Sequence, residues 1–131
     1  MGLAEKKAIN DVIQKDLPRY QSRITECGLA ITLGADWEGL PPGTDAIDRV
    51  RMIFGEFANC FYSMSQNAIA KEEIAKQVGS VLIRNDSGIT DEYAFKMELK
   101  DRQLTFTANL AIFTISSSRG PGIESTLEGL L

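Results

Sequence analysis

The stretch DAIDRVRMIFGEFANCFYSM, residues 45–64, decides how this chain folds. Ile47, Val50, Phe54, Phe57, Phe61 and Met64 recur at spacings of three and four, the period of one face of an α-helix. Ile53, Ala58 and Cys60 widen that stripe until it is broad enough to lie on a sheet. Burying the large side chains is worth roughly 9–18 kcal/mol gross, before chain entropy is subtracted. The stripe is too short and too aromatic at its centre for a coiled-coil seam, so it reads as a core helix. Asp45 offers an oxygen acceptor to cap its start, and Asp48 places negative charge against the positive end of the dipole.

Upstream, Ile9, Val12, Ile13 and Leu17 make a half-buried helix over residues 3–17, which Pro18 is expected to end. Leu29, Ile31 and Leu33 then alternate with Ala30, Thr32 and Gly34, the period of a strand with one buried face. That strand is expected to run on into Asp36, Trp37 and Glu38 before the Gly39 to Gly43 loop.

Downstream, residues 68–78 read as a further helical piece, either continuing the main helix or separated from it near Ser65 to Ala68. Residues 80–84 form a short central strand, and Asn85-Asp86-Ser87-Gly88 is turn chemistry. Phe95, Met97 and Leu99 alternate with charged residues, and Leu104, Phe106, Ala108 and Leu110 alternate with Thr105, Thr107 and Asn109. Asp101-Arg102 joins these two strands as a hairpin whose polar positions share a wet outer face.

The expected architecture is therefore a single α+β domain over residues 1–131. Helices pack on one face of a mainly antiparallel, roll-like sheet in the order α-β-α(α)-β-β-β-α. Beyond Leu110 the alternation fails, because Ala111, Ile112, Phe113 and Ile115 put apolar groups on both faces. Either a C-terminal helix over residues 123–131 or a second copy of the chain must cover them, so Leu110, Ile112, Phe113 and Ile115 are the candidate surface of a homodimer.

Composition narrows the function by subtraction. The 131 residues carry 14 basic and 18 acidic side chains, net charge −4, and no histidine. With the basic residues scattered rather than gathered in a stripe, no nucleic-acid partner is expected. The absence of histidine removes Ser-His-Asp and Cys-His nucleophiles and His-containing zinc sites. Two cysteines rule out four-thiolate metal sites, and with no export signal read at the N-terminus Cys27 and Cys60 are expected as reduced thiols in a cytoplasmic protein. No apolar run approaches the ~20 residues of a membrane span. No cofactor is expected: the Gly34 to Gly39 segment matches no nucleotide-binding pattern, and the Ser116 to Gly122 loop lacks a Lys-Ser or Lys-Thr pair.

The most suggestive residues are Asp36, Glu38, Asp45 and Asp48. Were the first strand to persist, Asp36 and Glu38 would share one face and could act as a general acid-base pair; as solvated loop and helix-start carboxylates they would do nothing chemical. Trp37 and Tyr62 are candidate partner contacts, since aromatic side chains dominate interface hot spots. The leading expectation is a small acidic, non-catalytic module that binds a protein, with the net negative charge favouring a basic one, in the manner of an inhibitor or immunity-type protein. The alternative is a small-ligand-binding roll or a carboxylate-dependent enzyme using Asp36 and Glu38.

Overall fold

A computed structural model describes residues 1–115 and 122–131 of the chain. It is an α+β fold, with the sheet built from four strands among those residues. The helix α1 (Leu3–Asp11) passes through one π-helical turn (Val12–Asp16) directly into α2 (Leu17–Glu26). Strand β1 (Thr32–Ala35) is followed by a short 3-10 turn (Trp37–Gly39), then α3 (Asp45–Met64) and α4 (Ala68–Gln77). Strands β2 (Ser80–Asn85), β3 (Phe95–Lys100) and β4 (Gln103–Ala108) precede the helix α5 (Ile123–Leu130).

Helix α3 is the core element that its stripe implies. Val50, Ile53, Phe54, Phe57, Ala58 and Phe61 are fully buried, and Ile47, Cys60 and Met64 nearly so. Phe57 meets Phe106 of β4 edge to face at 5.7 Å, and Phe106 in turn stacks on Phe95 of β3 at 5.2 Å. The register places Leu33, Val81 and Leu104 side by side across the sheet, and Ile83 beside Phe106 and Met97. Those residues form the dry face. Lys96, Glu98, Lys100 and Arg84 occupy the other face and are exposed.

Helix α3 starts at Thr44 rather than at an aspartate cap. Thr44 is the N-cap and makes no side-chain cap bond, so Asp45 and Asp48 both lie in the first turn and act through charge alone. The helix ends at Ser65, and Asn67 caps α4 by accepting from the Ile69 and Ala70 amides at 3.0 Å each. The break between the two helices is therefore a true one.

Three expectations are corrected. Pro18 does not end the first helix. The chain instead makes a π turn just ahead of it, closed by the Leu17 amide on the Val12 carbonyl. A wider turn relieves the clash between the proline ring and the carbonyl four residues back, and at the second position of α2 the missing N–H costs nothing. The helix then runs to Cys27, where Gly28 at φ +81 closes a Schellman motif through Leu29 N–H to Ile24 O (3.3 Å) and Gly28 N–H to Thr25 O (2.9 Å).

The sheet, secondly, is mixed rather than mainly antiparallel. Its order is β1-β2-β4-β3, with β1-β2 and β2-β4 parallel and only β3-β4 antiparallel. The long helical crossover through α3 and α4 is what allows β1 and β2 to run parallel. The loop over residues 86–94 is long enough to carry the chain past one strand position, so β4 returns from the hairpin into the gap. Strand β2 is accordingly central, as its β-branched apolar run implies.

Thirdly, β4 stops at Ala108, so residues 110–115 are not a strand. The Phe113 amide turns back onto Asn109 O at 2.8 Å, and the Thr114 amide bonds Glu92 O at 2.7 Å. Phe113 swings inward against Phe95 and Phe106. Helix α5 lies beside α3 and β3 with Ile123 and Leu127 buried. The chain therefore supplies its own cover here. Residues 116–121, the main part of the expected Ser116 to Gly122 loop, lie outside the described residues.

Candidate functional site

The residues singled out from the sequence do not assemble into one site. β1 ends at Ala35, and Asp36 turns out of the strand at φ −82, ψ 82 into the 3-10 turn. The alternation that would put Asp36 and Glu38 on a common face is thereby interrupted. Both are exposed, and the Asp36 carboxylate folds back over Gly39, where an added Cβ would meet Oδ2 at 2.7 Å. Trp37 packs its ring edge to face with Phe54 at 6.1 Å and closes that end of the core. Tyr62 is 46% exposed, with the Arg23 guanidinium stacked 4.9 Å from its ring centre. Leu110 and Phe113 are core residues, Ile115 packs against the core, and Ile112 alone of that group is open to solvent, at 36%.

Asp45 and Asp48 do line surface concavities. On one side of the α3 start they border a groove of about 410 Å³ with Arg49, Met52, Phe113 and Ile115. On the other they border one of about 440 Å³ with Asp11, Asp16 and Arg51. The charges in both are largely engaged. Arg51 bonds Asp48 at 2.6 Å, and that hydrogen bond holds the guanidinium above its ordinary pKa against the opposing effect of burial. Arg49 donates to the Phe113 and Leu110 carbonyls at 3.1 and 3.2 Å, which fastens the segment after β4 to α3.

A third groove differs in kind. It holds about 490 Å³ between the end of α3, α4 and α5, and is lined by Ser63, Met64, Asn67, Ile69, Ala70, Glu73, Glu124, Glu128 and Leu131. Helical spacing explains the lining. Ile69 and Glu73 are four apart on α4, and Glu124 and Glu128 are four apart on α5, so α4 turns an apolar and an acidic position toward the gap and α5 turns two acidic ones. Ile69 is 76% exposed, the most open of the large aliphatic side chains among the described residues. No lysine or arginine stands among the lining residues. The walls are fastened together by Gln77, whose amide donates to Glu73 Oε2 at 2.9 Å and to Leu131 O at 3.2 Å.

Cys60 lies on α3 close to α5 and is held in its thiol form. Burial, reinforced by the Glu124 and Glu56 carboxylates, pushes its thiol up to about 12, so it stays protonated through the neutral range. Cys27 is half-buried and its Sγ donates to Arg23 O at 3.2 Å. Among the described residues no group of three or more His, Cys, Asp or Glu side chains is placed to hold a metal ion. No helix among them is long and apolar enough to cross a membrane.

Comparison of the chain with protein-family models, with curated proteins and with solved structures found no match. Local sequence does not disclose this groove, because α4 is only weakly patterned and no local signal says how α4 and α5 meet. A signal was present nonetheless in Ile69, a large apolar residue outside the buried stripe of α4.

Proposed function

We infer that the chain is a non-catalytic binding module whose partner is another protein carrying positive charge. The observation that carries this reading is the groove of α3, α4 and α5: an apolar floor of Met64, Ile69, Ala70 and Leu131, bordered by three carboxylates and no cation. An open concavity of this make-up buries little of a small ligand, whereas a protein surface can cover Ile69 and neutralise Glu73, Glu124 and Glu128 together. The net charge of −4 favours encounter with a basic protein over an acidic one.

The test is affinity capture on the full chain from lysate of its own cells, followed by calorimetry on the purified captured protein. A stoichiometric protein that binds reversibly, with affinity falling as salt is raised, supports the reading. Retention of a small molecule and no protein would overturn it and favour the ligand-binding alternative. That alternative draws on the groove of about 410 Å³ at the start of α3, which has Asp45 and Asp48 at its mouth. Asp36 and Glu38 border none of the three grooves described here.

A second copy of the chain is the other partner that the sequence suggests. With Leu110 and Phe113 inside the core, its contact would have to rest on Ile112 and the exposed Met52. Light scattering distinguishes a 14.4 kDa particle from one of twice that mass. We propose the cytoplasm as its setting, a reading that the two free thiols support.

A further inference from the structure

We propose that the groove between α4 and α5 receives one amphipathic helix of the partner, with its leucine-like side chains on the Met64, Ile69 and Leu131 floor and lysine or arginine residues facing Glu73, Glu124 and Glu128. This rests on the protein-binding reading above and specifies the form of the bound segment. The argument is one of backbone accounting. A peptide buried in a groove must satisfy its own N–H and C=O groups or find partners for them. This groove is lined by the end of α3, by α4 and by α5 with its terminal Leu131, and by no strand, so it offers an extended peptide no ladder. A helix brings its hydrogen bonds with it.

The alternative route, adding a strand to the sheet, is obstructed at both edges. At β1 the Gln21 side chain occupies the edge: its amide donates to Ile31 O and its Oε1 accepts from the Leu33 amide at 3.0 Å. At β3 the exposed side chains are Lys96, Glu98 and Lys100, a charged edge that resists pairing. The dimensions agree with a helical occupant. α4 has ten residues and α5 has eight, so the walls run about 12–15 Å. That length meets two to three turns, with apolar contacts at i, i+3 or i+4, and i+7.

Charge supplies the sign. Glu73 is only loosely tied to Lys76, at 3.8 Å on an exposed side chain, and Glu124 and Glu128 lie on the same face of α5. A helix with basic flanks relieves the repulsion among these carboxylates, and one with acidic flanks adds to it.

The test uses the full chain and two synthetic helices of about 15 residues, long enough to hold helical structure. Both carry leucines at the i, i+3, i+4 and i+7 positions, one with lysines elsewhere and the other with glutamates. The lysine peptide is expected to bind, to shift the NMR signals of Met64, Ile69 and Leu131, and to weaken with salt. The glutamate peptide is expected not to bind. Ile69→Ser, and separately Glu73→Gln with Glu124→Gln and Glu128→Gln, should each weaken the lysine peptide about tenfold while the unbound spectrum outside the groove is unchanged. Equal binding of both peptides, shifts confined to another surface, or no binding would overturn the proposal. If a captured protein binds the chain and is indifferent to Ile69→Ser, the helix assignment falls and the protein-binding reading stands. Absence of any protein partner removes that broader reading itself.

Discussion

Single side chains account for several features that periodicity does not reach. Gln21 is the clearest, a polar residue on α2 whose two amide atoms take the place of a neighbouring strand for Ile31 and Leu33. Gln21→Ala leaves a part-buried N–H and C=O without that partner and should cost about 1–2 kcal/mol in denaturant unfolding. It should also raise the tendency to aggregate through the opened edge. Unchanged stability would show that water substitutes fully there. Cys60 gives a pH-dependent expectation. Its folded pKa of about 12 lies above the ordinary thiol value of 9.0, so well below pH 9 both states hold the proton and nothing is gained or lost. Above it the unfolded thiol ionises while the folded one does not, and stability falls with rising pH by about 1.4 kcal/mol per unit until the folded thiol itself titrates. Wild type should therefore lose stability between pH 9 and 11 faster than Cys60→Ala, and parallel curves would contradict the burial assigned to this thiol.

At the scale of elements, legibility followed how many residues shared a pattern. α3 could be read because its apolar positions repeat over five turns and all point one way, and the β3-β4 hairpin because alternation on both sides brackets Asp101 and Arg102. Those two residues adopt φ of +51 and +64, as a tight two-residue turn requires. α2 was hidden by Pro18, although Leu17, Tyr20, Ile24 and Cys27 continue the helical spacing and Gly28 marks a stop. A π turn overrides the usual reading of proline, and it leaves no signature in residue type. The end of β1 was hidden for the opposite reason: Asp36-Trp37-Glu38 continues the polar-apolar alternation, yet Trp37 is drawn aside by Phe54 into a 3-10 turn. The candidate carboxylate pair depended on the strand continuing through those three residues.

For the whole molecule, one broad helix lies over one dry sheet face, α2 and α5 flank it, and the far side of the sheet stays wet. Strand order could not be extracted from local sequence, because the choice between a meander and the inserted β4 is made by a loop over residues 86–94 that carries no directional signal. The docking groove likewise exists only after α4 and α5 meet. Gln77 holds them at a separation that leaves Ile69 in solvent. The measurement that bears most directly on this view is amide hydrogen exchange on the full chain, with and without its captured protein partner. Slowing confined to residues 68–75 of α4 and 123–130 of α5, with β3 and the Asp36 to Gly39 turn unaffected, is the expected result. Slowing across the wet sheet face at Lys96 to Lys100, or around Asp36 and Glu38, with α4 and α5 unchanged, would contradict it.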